Sequence, residues 1–312
     1  MPNRQPPDPE QARDSRTRAG KHPHPDPLPA RERGRRSEHA RESEVRRPRS
    51  EREMKRVWSM PPAQPTVAED EVHLWRAILD VPQGRIAKLA EVLSADERGR
   101  AGRIALDRGR ARYIAGRHVL RTILSSYLGL GPEQIQFTYG PQGKPGLAPE
   151  QASSRLSFSL AHSRNRILVA VTQRRAVGVD VEFVRPLFDA AGIVGRIFSA
   201  REQAALDALP PGQRLEGFFH GWTCKEAWLK ATSVGLVWPP DWFSVSLAPG
   251  APSRLLEVRG DPGAPERWSL TSFEAAPGYM GALAVEGWGW QAVYYDYPLH
   301  ASAHTAGLSA VP

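Results

Sequence analysis

The sequence predicts an α+β fold of two similar lobes related by a pseudo-twofold axis, each a small sheet packed with a long helix, behind a disordered N-terminal tail. Three observations predict it. Composition changes near residue 56, from Arg, Pro, Glu, Ser and His without an aromatic residue to a chain with regular apolar spacing. Beyond that point, alternating stretches and stretches of 3.6-residue periodicity follow one another in the same order twice. Local patterns also recur about 105 residues apart, as a duplicated lobe requires.

The tail, residues 1–56, holds 16 of the 42 Lys and Arg and 10 of the 34 Asp and Glu, which leaves 26 against 24 for the rest. It cannot bury enough apolar surface to offset its ordering entropy. The formal charge of +8 therefore belongs mostly to the tail. The remainder is near neutrality and shows no basic stripe with interleaved aromatics, so nucleic acid is not an expected partner. Met54 and Met60 flank the change in composition, and a translation start at either would remove the tail. The sequence has neither a continuous apolar signal region nor a run of 18 apolar residues, so a soluble cytoplasmic protein with no membrane partner is expected. Cys224, the single cysteine, excludes an internal disulfide and a cysteine-rich zinc site. Beside Lys225 it reads either as a reactive thiol or as a passive helix residue.

The first lobe, about residues 66–175, opens with the alternating strand VHLWRA. Ser94 and Glu97, after Leu93, form a Ser-x-x-Glu capping box that starts a helix. A longer amphipathic helix follows in RARYIAGRHVLRTILSSYLGLG, with Ile114, Leu120, Ile123, Leu124, Tyr127 and Leu128 at helical spacing. LSFSLAHS and RILVAVT close the lobe as strands. The second lobe, about 176–297, repeats the order: VGVDVE, a capping box at Ser199 and Glu202 after Phe198, the helix GFFHGWTCKEAWLKATSVGL, and the strands RWSLTSFEA and GALAVE. Gly129, Leu130 and Phe137 recur as Gly235, Leu236 and Phe243. Residues 298–312 read as a flexible C-terminus.

In VGVDVE, Asp180 and Glu182 lie two apart on a strand and share a face, with Val177, Val179 and Val181 on the other. Two carboxylates so close resolve their repulsion with a divalent cation or protons, and magnesium suits carboxylates, water and phosphate oxygens. A solvated strand end paired with arginine is the alternative. In WTCKEAWLK, Glu226 and Lys230 stand four apart in the order that favours an ion pair. The flanking Phe218, Phe219, Trp222 and Trp228 argue that this helix is buried rather than solvated. Arg117 and Arg121 stand one turn apart, Lys144 lies in the turn GPQGKPG, and His162 follows LSFSL; together they can form a cationic cradle for phosphates. The repeat aligns Asp180 and Glu182 with Trp75 and Ala77, and Glu226 with Leu120 or Arg121. Only the second half carries acids, so one site between unlike faces is expected.

The ordered run GRHVLR, GKP, SFSLAHS, VGVDVE, IFSAREQ and WTCKEAWLKATSVGL resembles the 4'-phosphopantetheinyl transferases of the two-lobed surfactin-synthetase-activating type, over about residues 94–245. The resemblance implies transfer of the phosphopantetheine arm from coenzyme A to a serine of an apo acyl or peptidyl carrier protein, releasing 3',5'-ADP. It implies Asp180, Glu182 and Glu226 as ligands of Mg2+, with Mn2+ able to substitute. Lys230 matches a lysine near the diphosphate, and Lys225 the lysine of the Lys-Glu pair. Arg117, Lys144 and His162 match positions that contact the nucleotide phosphates, with Arg121 beside them. Glu226 is also the family's candidate base, so Glu226 and Lys230 carry the implied chemistry. A type holding both halves of its site implies a monomer. Two positions depart from the family: Ala161 replaces a serine before His162, and Ser233 replaces a glycine, which is a strained choice if that position needs φ > 0. A magnesium-dependent phosphohydrolase or nuclease using the same carboxylates is the rival reading.

Overall fold

Strict alternation makes Glu71–Ile78 a strand, β1, with Val72 and Leu74 buried on one face and His73, Trp75 and Ala77 on the other. The computed structural model to which β1 belongs describes residues 57–300 apart from 142, 188 and 234–238. The tail 1–56 and the end from 301 lie outside the described residues. Helices α1 (Gln83–Ala90), α2 (Ala95–Gly102) and α3 (Asp107–Leu128) follow. The capping box before α2 is complete: the Ser94 hydroxyl accepts the Glu97 N–H, and the Glu97 carboxylate accepts the Ser94 N–H. Gly129, in the left-handed region at φ 64°, stops α3. A short hairpin, β2 (Phe137–Tyr139) and β3 (Pro145–Leu147), precedes β4 (Leu156–Ser163) and β5 (Arg166–Gln173).

The second half repeats that order. Strand β6 (Val177–Phe183) leads to α4 (Ala190–Ile197), α5 (Ala200–Asp207) behind a second complete capping box at Ser199 and Glu202, and α6 (Arg214–Thr232). A second short hairpin, β7 (Phe243–Val245) and β8 (Leu255–Val258), the short helix α7 (Ala264–Arg267), and the strands β9 (Trp268–Ala276), β10 (Tyr279–Glu286) and β11 (Gln291–Asp296) complete it.

The mixed α+β architecture is thus as expected, and its layers follow from burial. The sheets have strand orders β11-β1-β5-β4 and β6-β10-β9. Val72, Leu74, Leu168 and Ala170 of the first meet Val177, Val179, Val181 and Leu283 of the second in one apolar cluster, so the sheets face each other. The far face of the first packs Trp75, Ala77 and Val169 on Leu120, Ile123 and Leu124 of α3. That of the second packs Ala282 and Ala284 on Ala227, Trp228 and Ala231 of α6. Sheet membership does not follow the division at 175/176. Strand β11, from the second segment, pairs in parallel with β1, Val72 facing Ala292 and Trp75 facing Tyr295. No loop length or periodicity in the sequence announces this return.

Candidate active site

The period of two along β6 sends Val177, Val179 and Val181 between the sheets and turns Gly178, Asp180 and Glu182 toward α6. Gly178 sets how closely the helix approaches, because a Cβ there would collide with the Ala227 carbonyl oxygen and the Ala231 amide nitrogen. Trp222, Glu226 and Lys230 succeed one another every four residues on α6 and therefore share the face that lies along β6. Lys230 Nζ donates to Asp180 Oδ1 at 2.6 Å, and Trp222 Nε1 donates to Glu182 Oε1 at 3.4 Å.

Ser163 Oγ donates to Glu182 Oε2 at 2.9 Å and accepts the Phe183 N–H at 3.1 Å. Ser159 accepts the Val179 N–H at 3.2 Å. Two serines of β4 thus serve backbone groups of β6 where the sheet edges meet, and one of them also orients Glu182. In the sequence LSFSLAHS reads only as alternation; pairing these hydroxyls with another strand requires the fold.

The charges are unbalanced. Asp180 is only 3 % exposed, and its Oδ2 is buried with no hydrogen-bond partner among the described residues. Burial pushes its carboxyl up, against the opposing pull of the Lys230 ammonium. Glu226 is pushed up to about 7 by burial first and by the Asp180 charge second. An orphaned buried oxygen and carboxylates that resist ionising together fit a hard divalent cation. Among the described residues, however, no three His, Cys, Asp or Glu side chains are gathered closely enough to hold a metal as they stand.

The predicted basic residues divide. His162 stands exposed at the rim, its imidazole lowered by the protein around it and then by the Lys230 charge. Lys144 reaches from the β2–β3 hairpin to the Val177 and Ala231 carbonyl oxygens, both at 3.4 Å, and burial lowers it to about 8. Arg117 Nε donates to Glu97 Oε1 at 2.5 Å, and the guanidinium lies 4.6 Å from the Phe137 ring centre. Arg121, 2 % exposed, donates to Glu97 at 2.6 Å and to the Pro132 and Ile135 carbonyls. Lys225 is buried away from Glu226: it donates to Glu202 Oε2 at 2.7 Å and to the Phe243 carbonyl at 2.8 Å. Arg117, Arg121 and Lys225 are therefore tied inside their own halves by the glutamates of the two capping boxes, Arg117 being the most exposed of the three at 8 %, and the structure does not bring them to the carboxylates.

The first-half counterparts of the acids fill their place with rings. Trp75 Nε1 donates to Tyr127 Oη at 3.0 Å, and His73 lies 2.6 Å from the same oxygen. The acidic face belongs to one half, as expected. Of the departures, Ala161 packs in the apolar layer between the sheets, and Ser233 ends α6 in the left-handed region at φ 59°. Cys224 is fully buried, and burial pushes its thiol up to about 12, which settles it as a passive helix residue.

Residues 176–284 match the profile of the 4'-phosphopantetheinyl transferase superfamily, and residues 82–174 match that of the 4'-phosphopantetheinyl transferase N-terminal segment. The chain is 40 % identical over 244 residues to the 4'-phosphopantetheinyl transferase HetI of Nostoc sp., covering 78 % of this chain and 100 % of that protein. It is 40 % identical over 121 residues to 4'-phosphopantetheinyl transferase AcpT of Escherichia coli K12, 39 % of this chain and 57 % of the relative. A 4'-phosphopantetheinyl transferase of Bacillus subtilis is 30 % identical over 164 residues, 53 % of this chain and 70 % of its own.

Proposed function

The chain belongs to the 4'-phosphopantetheinyl transferase superfamily, and from that premise we propose that it moves the phosphopantetheine arm of coenzyme A onto a serine hydroxyl of an apo acyl or peptidyl carrier protein, releasing 3',5'-ADP. We place it in the two-lobed surfactin-synthetase-activating type, its lobes 66–175 and 176–297 related by a pseudo-twofold axis. The observation that carries the reading is the juxtaposition of Asp180 and Glu182 on β6 with Glu226 and Lys230 on α6.

Asp180, Glu182 and Glu226 would hold Mg2+, or Mn2+ in its stead, which supplies positive charge to the diphosphate oxygens as negative charge builds on them. Ser163 and Trp222 hold Glu182 in place. Lys230, within reach of Asp180, offers its ammonium to the same diphosphate. The acceptor serine oxygen bonds to the β-phosphorus while the bond from that phosphorus to the bridging oxygen of 3',5'-ADP breaks. The hydroxyl proton passes to Glu226, directly or through a water molecule. Its role toward the metal ranks first. His162, Lys144 and Arg117 receive the nucleotide phosphates, while Arg121 and Lys225 brace the helices that carry the site. The reading takes the protein as a cytoplasmic monomer without nucleic-acid or membrane partners. No described helix is long and apolar enough to cross a membrane.

Incubating the protein with coenzyme A, MgCl2 and a panel of apo carriers tests the reading by mass spectrometry. The expected result is a carrier heavier by one phosphopantetheine group, with release of 3',5'-ADP. Unmodified carriers together with hydrolysed nucleotide would establish the phosphohydrolase reading in its place.

A further inference from the structure

Three strands of the first sheet finish or begin at one edge: β1 ends at Ile78, β5 begins at Arg166 beside it, and β11 ends at Asp296 beside Arg76. The turn from β9 to β10 in the other sheet faces them as Ala276, Pro277 and Gly278, with no long side chain to fill the space between. A cavity of about 280 Å3 results, with Arg76, Ile78, Arg166, Pro277, Asp296 and Pro298 in its walls. None of these residues is among those assigned to the carboxylate site.

The charges in the cavity do not balance. Arg76 is fully engaged: its Nε and one Nη donate to the two Asp296 carboxylate oxygens at 2.6 and 3.1 Å, and its other Nη donates to the Ala275 carbonyl at 2.7 Å. Asp296 is neutralised by the same contact. Arg108 and Arg112, nearby, share Asp80. Arg166 has no such partner: among the described residues its side chain makes no hydrogen bond and no ion pair, and its Nε is buried. Its guanidinium lies 5.7 Å from the Tyr279 ring centre, but the Tyr279 hydroxyl already donates to Asn165 at 2.8 Å. The His300 ring donates to the Ile78 carbonyl at 3.0 Å and leaves Arg166 unserved. A charged donor without an acceptor in its own chain calls for one from outside.

The remaining walls are apolar. Ile78, 37 % exposed, offers a large aliphatic side chain to the opening, with Pro277 and Pro298 beside it. We propose that the cavity is a binding site for a small monocarboxylate with a short aliphatic chain, of about four to eight carbons given a volume just under the roughly 300–1,000 Å3 of drug-sized ligand sites. The carboxylate accepts from Arg166, and the chain covers Ile78, Pro277 and Pro298. A phosphate would meet the guanidinium but gain nothing from the apolar walls, and a cation would be repelled. This site goes beyond the transferase reading and does not depend on it.

Saturation-transfer NMR titrations of hexanoate against the full chain test the proposal, with acetate and inorganic phosphate as competitors and a second series run in saturating 3',5'-ADP. Expected is a hexanoate Kd on the order of 1 mM or lower. Acetate and phosphate, which lack the chain, should compete only at concentrations about tenfold higher or more. Arg166→Gln removes the charge, and Ile78→Asp sets a further carboxylate in the cavity at an exposed position; each should weaken hexanoate by about tenfold or more, while 3',5'-ADP leaves it unchanged. No saturation transfer from the wild type at about 10 mM hexanoate would overturn the site, as would an unchanged Kd in either variant once circular dichroism shows it folded. Phosphate that competes as well as hexanoate would overturn it too, by reducing the cavity to a point charge. So would displacement by 3',5'-ADP, which would put the acid among the groups that bind the nucleotide. Each of these failures leaves the transferase reading standing, because no residue of the cavity takes part in it.

Discussion

Asp180 is the residue on which the site turns. Its carboxylate is buried, one oxygen is held by Lys230 and the other by nothing among the described residues. Asp180→Ala should reduce carrier modification by about a hundredfold or more at any magnesium concentration, yet leave the melting temperature no lower, because the change removes a buried acid that Lys230 compensates at one oxygen only. Glu226 has a separate signature. With a folded value near 7 against 4.5 unfolded, it binds more protons in the folded state between those values, so its contribution to stability is lost as pH rises through that window. In denaturant titrations with EDTA, Glu226→Gln should gain up to about 3 kcal/mol on wild type at pH 8 and little at pH 4. That Asp180 and Glu182 share one face of β6, and Glu226 and Lys230 one face of α6, was legible in the sequence because strand period and helix period fix which side chains lie together. Ser163 was not, since its partner Glu182 lies on another strand. Arg121 and Lys225 were misplaced by the same limit. Each is a cation beside a site motif, and only the fold shows which carboxylate it meets.

At the scale of elements, the two capping boxes do more than start helices. Glu97 accepts the Ser94 N–H and ties α2 to Arg117 and Arg121 of α3. Glu202 accepts the Ser199 N–H and ties α5 to Lys225 of α6 and to the Val245 N–H. Each glutamate is 1 % exposed, so removing its charge leaves buried cations unmatched. Glu97→Gln and Glu202→Gln should each cost about 3–5 kcal/mol in urea unfolding, against about 1 kcal/mol for Ser94→Ala or Ser199→Ala. Gly178→Ala should cost about 3 kcal/mol and depress transfer as well, since α6 must retreat from β6. Both boxes, both long helices and the strands β4, β5, β6, β9 and β10 were readable from local pattern. The paired roles of the box glutamates were not, because they join residues about twenty positions apart.

At the scale of the molecule, every residue assigned to the site lies between Arg117 and Lys230. A chain lacking residues 1–56 should modify carriers at an undiminished rate, and a large loss on that deletion would show that the tail takes part. The order of elements was open to sequence reading because it repeats; the return of β11 to β1 was not, because a parallel partner leaves no local mark. Arg76 and Asp296, which bond across this pair, are 220 positions apart. On the ribosome, β1 must wait with one edge bare until β11, its parallel partner, is made. An unpaired edge recruits other strands. A chain without Gln291–Asp296 thus keeps a sticky flank that the folded protein covers.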